Sequence, residues 1–517
     1  MKSKLIILIL LITTVVYQGS DASDDTVNKP PNVVFFLVDD LGWSDVGCFG
    51  SSFYDTPNID QLAAEGVRFT DGYATCHVCS PTRASILTGK YPARMNLTDW
   101  IPGRGNNSFQ VLANAKKVIS LDRDETTIAE VLKGLGYETA LFGKWHLGRD
   151  TDPTEHGFDV HIPHSVNSNL GRRGFLSPKD IPGLDGGEYV TDRLAELAAQ
   201  YIEEKKDKPF FLYMSHFSVH DPIQGRHDLV EKYKKKLASM PPQTGLDYIL
   251  EGNPDSPTNP SRAELNELIK LPEYADTYKS YPNDLVKVKQ KQDNVQFAGM
   301  VESVDQSLGT LVAKLKELGL EDNTIIFFMS DNGGLSTSEG HPTSNLPLRG
   351  GKGWMYEGGI REPMIVRWPG VTAAGSVCKQ VVTSTDFYPT ILEITGLKAR
   401  PAQHRDGVSF VSLLKGKTRK RGPLLWHYPH YGNQGGAPAG AVREGRWKLI
   451  EWYEDKRVEL FDLESDIGEN RDLAKGQPER VRAKFACRVL GRLGYSECVA
   501  PLGEWIDVVR DRELAVE

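Results

Sequence analysis

Four apolar stretches of this 517-residue chain run into side chains that can do chemistry. Val33 to Val38 leads to Asp39-Asp40, Thr324 to Ser330 to Asp331-Asn332, Pro209 to Ser215 to His216 and then His220, and Tyr137 to Phe142 to Gly143-Lys144-Trp145-His146. Three carboxylates and an amide are the hard oxygen donors that Ca²⁺ or Mg²⁺ prefers. Lys144 and His146, two apart in extended chain, project to one face. Taken singly, each feature has an ordinary reading. Asp39-Asp40 suits a strand-ending turn or a helix cap, Asp331-Asn332-Gly333-Gly334 a glycine-rich turn, His216 a satisfied core position, and His220 before Asp221-Pro222 a turn. The joint pattern is much less accidental than any member.

These tails need elements to bring them together. The apolar runs are continuous rather than alternating, as are Pro363 to Val366, and such runs suit strands buried on both faces. Between them lie amphipathic stretches, Thr56 to Gly66, Thr126 to Leu135, Tyr189 to Lys205 and Asn294 to Leu318. The alternation predicts an α/β fold, a large mostly parallel mixed sheet sandwiched between helices. In such a sheet ligands bind beyond the carboxyl ends of the strands, so the four tails are expected to converge. Pro241 to Pro260, with five prolines, reads as an irregular surface excursion. After a helical stretch at Tyr388 to Thr395, the short runs Ala441 to Arg443, Trp447 to Ile450 and Val458 to Phe461 predict a small antiparallel sheet closed by a C-terminal helix. The expected division is a signal peptide over 1–22, a catalytic domain over 30–385 and a C-terminal subdomain over 386–517.

The apolar set is 39 % and, with glycine, about 48 %, the globular norm, which excludes disorder, collagen or coiled coil as a description of the whole. A formal charge of −8 argues against a nucleic-acid partner, so an anionic substrate has to be captured by local basic residues. Lys2 and Lys4, the apolar run Leu5 to Val16 and small residues at Gly19, Ser20 and Ala22 read as a cleaved secretory signal, too short to span a bilayer. The expected product is soluble and exported, with no membrane association after cleavage. The six cysteines make no disulfide framework, although Cys487 and Cys498 could pair in an oxidising compartment. Cys76-His77-Val78-Cys79 resembles half a zinc site without a second ligand pair. The basic clusters Lys232 to Lys236 and Lys415 to Arg421 are either solvated faces or aids to holding a polyanion.

The most specific segment is Cys79-Ser80-Pro81-Thr82-Arg83-Ala84-Ser85-Ile86-Leu87-Thr88-Gly89. A cysteine opening a helix gains from the positive end of the dipole, and an arginine one turn on can stack back toward it. A bare Cys-x-Pro suits a capped helix with a packed cysteine equally well. The full string, however, resembles the type I sulfatase signature, Cys-x-Pro-x-Arg, four residues, then Thr-Gly. Position 82 is Thr where Ser is commoner. Gly136-Tyr137-Glu138-Thr139 leading into Gly143-Lys144-Trp145-His146-Leu147-Gly148 resembles the second signature of that family. Val38-Asp39-Asp40-Leu41-Gly42, Ser330-Asp331-Asn332-Gly333-Gly334 and Gly351-Lys352-Gly353 running to Glu357-Gly358-Gly359-Ile360-Arg361-Glu362-Pro363 are further matches. The resemblance, to the formylglycine-dependent sulfatases of the alkaline-phosphatase-like superfamily, runs from about residue 31 to Asp472, where Leu460 to Leu463 and Asn470 to Leu473 match the C-terminal subdomain.

The resemblance implies a mechanism. Cys79 is converted to formylglycine by a maturation enzyme and hydrates to a gem-diol; one hydroxyl takes the sulfuryl group, and deprotonating the other expels sulfate by C–O cleavage. Asp39, Asp40, Asp331 and Asn332, with an oxygen of the modified Cys79, hold Ca²⁺, Mg²⁺ being the alternative. Arg83 stabilises the hydrated aldehyde, and Lys144 and Lys352 contact the sulfate. His146 is the base for the second hydroxyl, and His220, or Lys352, protonates the leaving alcohol. His216 matches less well and stays outside this set. The implied substrate is a sulfated polysaccharide or glycosaminoglycan fragment, met outside the cell, in the periplasm or, in a eukaryote, in the lysosome. Substrate choice is expected in His77, Trp100 to Asn107, His161 to Arg173, Tyr431 to Gly440 and His427. A phosphatase or phosphonate monoester hydrolase of the same superfamily, and a silent sulfated-glycan-binding protein, are the rival readings.

Overall fold

The computed structural model describes residues 29–106, 110–148, 151–163, 188–252, 260–272 and 285–485, with isolated positions 175 and 181. The expected leader, Cys487 and Cys498, and most of the 161–173 segment lie outside the described residues.

The strands in chain order are β1 (Asn32–Val38), β2 (Val67–Tyr73), β3 (Glu138–Gly143), β4 (Val160–Ile162), β5 (Phe210–Ser215), β6 (Tyr248–Gly252), β7 (Leu285–Lys289), β8 (Thr324–Ser330), β9 (Arg361–Arg367), β10 (Ser376–Cys378), β11 (Val382–Thr383), β12 (Leu424–Tyr428), β13 (Ala439–Glu444), β14 (Trp447–Trp452) and β15 (Val458–Asp462). Nine of them form one sheet in the order β10-β2-β9-β8-β1-β5-β3-β4, with β11 also on β2. β1 lies at its centre, parallel to β5 and β8, while β9 runs antiparallel to both β8 and β2.

The continuous apolar runs have a simple cause. Val34, Phe36 and Val38 pack beneath helices Val190–Glu204 and Val295–Glu317, whereas Val33, Phe35 and Leu37 face helices Cys79–Thr88 and Phe387–Ile394 on the other side. Helices on both faces leave no polar face to alternate with.

Register sets the height at which each strand releases its tail. Leu37 pairs with Ser215, Val38 with Ser330 and Gly143 with Ser215, so Asp39, Asp331, Lys144 and His216 leave the sheet at one edge and nearly one level. Gly143 has φ +109, and a Cβ there would collide with the Ser215 carbonyl, which accepts the Lys144 N–H at 2.7 Å. Only glycine turns the chain so tightly at that point.

Strands β12 to β15 form a separate antiparallel sheet. One face, carrying Trp426, Tyr428, Ile450 and Trp452, packs with Tyr73, Trp354 and Tyr356 of the larger unit. Helix Pro478–Phe485 follows it, and the Arg480 guanidinium lies 4.2 Å from the Trp447 ring centroid. The proline-rich 241–260 stretch departs from the expectation of irregular chain. It contains β6, which pairs antiparallel with the distant β7. A partner more than thirty residues away leaves no hairpin turn to read in the sequence.

Candidate active site

Cys79 is the first residue of helix Cys79–Thr88, every residue of which is buried, and the helix ends in an αL cap at Gly89, whose N–H donates to Ser85 O over 2.9 Å. This points Cys79 at the edge where the four tails emerge. Its Sγ lies 3.4 Å from Asp39 Oδ1. Arg83, one turn on, is 1 % exposed and donates from Nε to Asp331 Oδ2 (2.7 Å) and from Nη1 to Ser215 Oγ (2.6 Å) and to the Lys144 carbonyl (3.1 Å).

The carboxylates are shared out among cations. Lys144 Nζ makes a close ion pair with Asp39 Oδ2, and Lys352 Nζ sits 2.7 Å from Asp40 Oδ2. His220 Nε2 is 3.6 Å from Asp40 Oδ2, its Nδ1 being 2.7 Å from the Asp221 carbonyl. Asn332 Nδ2 donates to Asp40 Oδ1 at 2.7 Å, and Asp40 N to Asp331 Oδ1 at 3.2 Å. Three buried carboxylates thus face Arg83, Lys144 and Lys352 at close to formal neutrality. Asp40 (φ 63) and His146 (φ 58) both take left-handed backbone, a strain of about 1–3 kcal/mol each that clusters at functional sites.

Burial works against the charge on Asp39, yet Lys144, His220, Arg83 and Lys352 more than offset it and hold that carboxyl far below the ordinary range. Burial and the neighbouring Asp39 charge push Asp331 up. Burial, with Lys144 adding to it, keeps His146 well below the usual imidazole value and therefore neutral. Its Nε2 lies 2.7 Å from the Ile101 carbonyl, which fixes the proton there, and leaves Nδ1 as a buried lone pair without a partner among the described residues. Cys79 reverses the dipole expectation. Burial and Asp39 push its thiol well above the ordinary value, so as cysteine it stays protonated and is a weak nucleophile.

Asp39, Asp40, Cys79 and His220 each offer a ligand atom within 4.8 Å of the others. Asn332 Oδ1, fully buried, has no donor among the described residues. Packed carboxylates and an unsatisfied amide oxygen fit a hard divalent cation. His220, expected only on the substrate side, therefore borders this cluster as well.

The chain's first 30 residues aside, a family model described as Sulfatase matches residues 31–397, and a second, N-sulphoglucosamine sulphohydrolase C-terminal, matches 351–489. The chain belongs to the sulfatase family. It is 29 % identical to a sulfatase of Formosa agariphila over 97 % of this chain and 95 % of that one. It is also 29 % identical to N-acetylgalactosamine-6-sulfatase of Mus musculus, over 85 % of this chain and 75 % of the relative. Among solved structures, Ps i-CgsB in complex with k-i-k-neocarrahexaose superposes with a TM-score of 0.68 at 27 % identity, covering 94 % of this chain and 98 % of that one. These relationships make the protein a sulfuric ester hydrolase of the alkaline-phosphatase-like fold.

Several other candidate residues of this sulfatase lie elsewhere. His216 is a core residue: it packs on the Phe36 ring at 4.8 Å, bonds Ser307 Oγ at 3.1 Å, and burial pulls it down to about 3. His427 falls on the opposite face of β12 from Trp426 and Tyr428 and bonds Tyr453 Oη at 2.8 Å. His77 is buried edge-on to Tyr428, at 4.2 Å, and His161 is buried in β4. Arg104 donates to Gly432 O at 2.8 Å, tying two of the expected specificity loops together.

The basic clusters are partly neutralised by acidic partners. Lys232 pairs with Asp55 (2.8 Å) and Glu302 (2.7 Å), and Arg419 and Arg421 turn inward onto Asp386 at 2.8 Å each. Ser215 escaped the sequence reading. It accepts from Arg83 and donates to the Lys144 carbonyl at 2.6 Å, so it ties the Arg83 guanidinium to the chain segment that carries Lys144. Its position at the end of a buried strand, level with Gly143, was the available signal.

Proposed function

We propose that this protein is an exported sulfatase that removes sulfate from a sulfated sugar, with Cys79 as its modified nucleophile position and a divalent cation, Ca²⁺ or Mg²⁺, at Asp39, Asp40, Asp331 and Asn332. The supporting observation is Cys79 itself, opening a buried helix 3.4 Å from Asp39, with Arg83 pinned beneath it by Asp331. A protonated, buried thiol argues for conversion to formylglycine by a maturation enzyme. The converted side chain supplies the attacking hydroxyl, and the cation supplies positive charge against the sulfate oxygens.

The chain's own groups do the rest. Lys144 and Lys352 present ammonium groups where sulfate charge has to be met, already oriented by Asp39 and Asp40. Arg83, immobilised by three acceptors, fixes charge beside position 79. His146 Nδ1 accepts the proton of the second hydroxyl at that position, because Nε2–H is committed to Ile101 O. His220, held through Nδ1 at the Asp221 carbonyl, presents Nε2 to the ester oxygen of the leaving sugar.

The Mus musculus relative is named for a sulfated amino sugar, and this supports a carbohydrate substrate here. No helix of the described residues is long and apolar enough to cross a membrane. The test is peptide mass spectrometry across Cys79 on protein from a maturation-competent host, alongside sulfate and phosphate release from matched aryl esters. Formylglycine with sulfate release is the expected result. Unmodified cysteine in an active enzyme, or faster phosphate release, would overturn the reading.

A further inference from the structure

One carboxylate in the pocket has no part in the scheme above. Glu339 lies just before Gly340 on the long connection that follows β8, with φ 54 and a side chain 25 % exposed. Its Oε2 lies 3.7 Å from Lys352 Nζ, beside the sulfate-facing ammonium, and accepts no hydrogen bond among the described residues. Its Oε1 accepts 2.8 Å from Gln434 Nε2. Gln434 belongs to the Tyr431–Gly440 loop of the smaller unit, and its backbone carbonyl takes the Trp354 indole N–H at 2.7 Å. That glutamine is 4 % exposed, and its own Oε1 is buried without a donor, directed at Gly353 next to Lys352. Gly353 has φ +85, and a side chain there would displace Gln434.

Glu339, 25 % exposed, thus stands with His220, 29 % exposed, on the solvent side of the buried Lys352 and Asp40. Its charge is felt by His220 as well as by Lys352, and by Asp221, the exposed carboxylate next to His220. A sulfate monoester arriving at Lys144 and Lys352 meets largely buried cations, and its leaving group, on the solvent side of them, meets the carboxylates of Glu339 and Asp221. Acceptors of this kind match sugar hydroxyls and repel a second anion.

Resting on the sulfatase reading, we propose that Glu339, clamped by Gln434, is a specificity determinant that selects a sugar unit carrying free hydroxyls beside the scissile sulfate and rejects one carrying a second sulfate or a carboxylate there. At the few ångströms involved, like-charge repulsion in a partly buried site is worth at least about a tenfold preference.

The experiment compares binding, by calorimetry, of galactose and N-acetylgalactosamine monosulfates and of their disulfates with the second sulfate on the adjacent carbon. The protein is the full chain carrying C79A, so that the esters stay intact, with and without E339Q or E339D. The C79A protein is expected to favour the monosulfate by about tenfold or more. Adding E339Q reduces that ratio to about threefold or less, whereas E339D, which keeps the charge, retains most of it. A folding defect would harm both double variants alike and shows as equal loss of both sugars, which counts against a charge effect. An unchanged ratio in E339Q, or a parent that favours the disulfate, overturns the proposal. Formylglycine at position 79 and sulfate release from the sugar monosulfates by the mature wild-type enzyme separate the two claims: with both present, a flat ratio refutes the role of Glu339 alone, and with both absent the proposed sulfatase mechanism itself is refuted.

Discussion

The amide of Asn332 donates to Asp40 Oδ1 at 2.7 Å and in doing so leaves its own carbonyl oxygen buried with no donor among the described residues. An orphaned acceptor at 0 % exposure is costly, about 1–3 kcal/mol, unless a positive charge meets it. Dialysis against a chelator is therefore expected to lower the melting temperature by several degrees, with Ca²⁺ restoring it, because an ion that binds only the native state stabilises it by mass action. Asn332→Ala is expected to weaken calorimetric cation affinity by about tenfold or more, the scale that even outer-shell changes at metal sites reach. A melting curve indifferent to chelator and Ca²⁺ would sink the cation assignment.

His220 supplies a second prediction. Its Nδ1–H is held by the Asp221 carbonyl and its Nε2 lies 3.6 Å from Asp40 Oδ2, so in the imidazolium form, with that carboxylate beside it, it can give the Nε2 proton to the departing oxygen without moving far. His220→Ala is expected to reduce kcat on alkyl or sugar sulfates by about 10²–10⁴-fold. Aryl sulfates, whose phenolate leaves without help, should lose less than about tenfold. Equal losses on both classes would remove the proton-donor role.

Ser215 gives a third. Its hydroxyl accepts from Arg83 and donates to the Lys144 carbonyl, linking the cation behind Cys79 to the chain segment that carries Lys144. Ser215→Ala leaves a buried Arg83 N–H short of an acceptor, a loss of about 1–3 kcal/mol. Because the pair is misplaced rather than removed, KM for an aryl sulfate is expected to rise several-fold, and Ser215→Thr to restore part of it. No change in KM in the alanine variant would make Ser215 a mere strand end.

The parts of this architecture that could be read in the sequence are those fixed by local pattern. Val33 to Val38 and Thr324 to Ser330 announce doubly buried strands because both of their faces are apolar, and the residues after them inherit their place from the strand ends. What was illegible depends on partners distant in the chain. β6 is a strand only because β7 lies beside it, and β2, whose exposure alternates before its register shifts between Phe69 and Gly72, shows no continuous run. Within the site, Cys79 was legible as a position but not in its ionisation, since the dipole acts locally while burial and Asp39 are tertiary. Glu357 illustrates the converse. It falls inside a motif that suggests chemistry, yet it is fully buried against Lys448 at 3.1 Å, in a cluster with Glu469 that joins the two sheets.

The same distinction yields a test at Asp386. The run Lys415 to Arg421 looks like a surface for polyanions, but Arg419 and Arg421 converge on Asp386, which is 0 % exposed and also accepts the Val408 N–H at 2.9 Å. Burial alone would raise this carboxyl; Arg421 and Arg419 reverse that and bring it below the ordinary value. A depressed carboxylate contributes stability that is complete above its unfolded value of about 4 and fades as pH falls through the lower folded value. Asp386→Asn leaves two buried guanidinium groups without their counter-charge, so it is expected to cost about 3–5 kcal/mol at pH 7. The gap between wild type and variant, measured by urea unfolding, should hold from pH 7 down to about pH 5 and narrow below about pH 4. A gap that widens on acidification would mean that Asp386 is held in its protonated form, and that the arginines are balanced elsewhere.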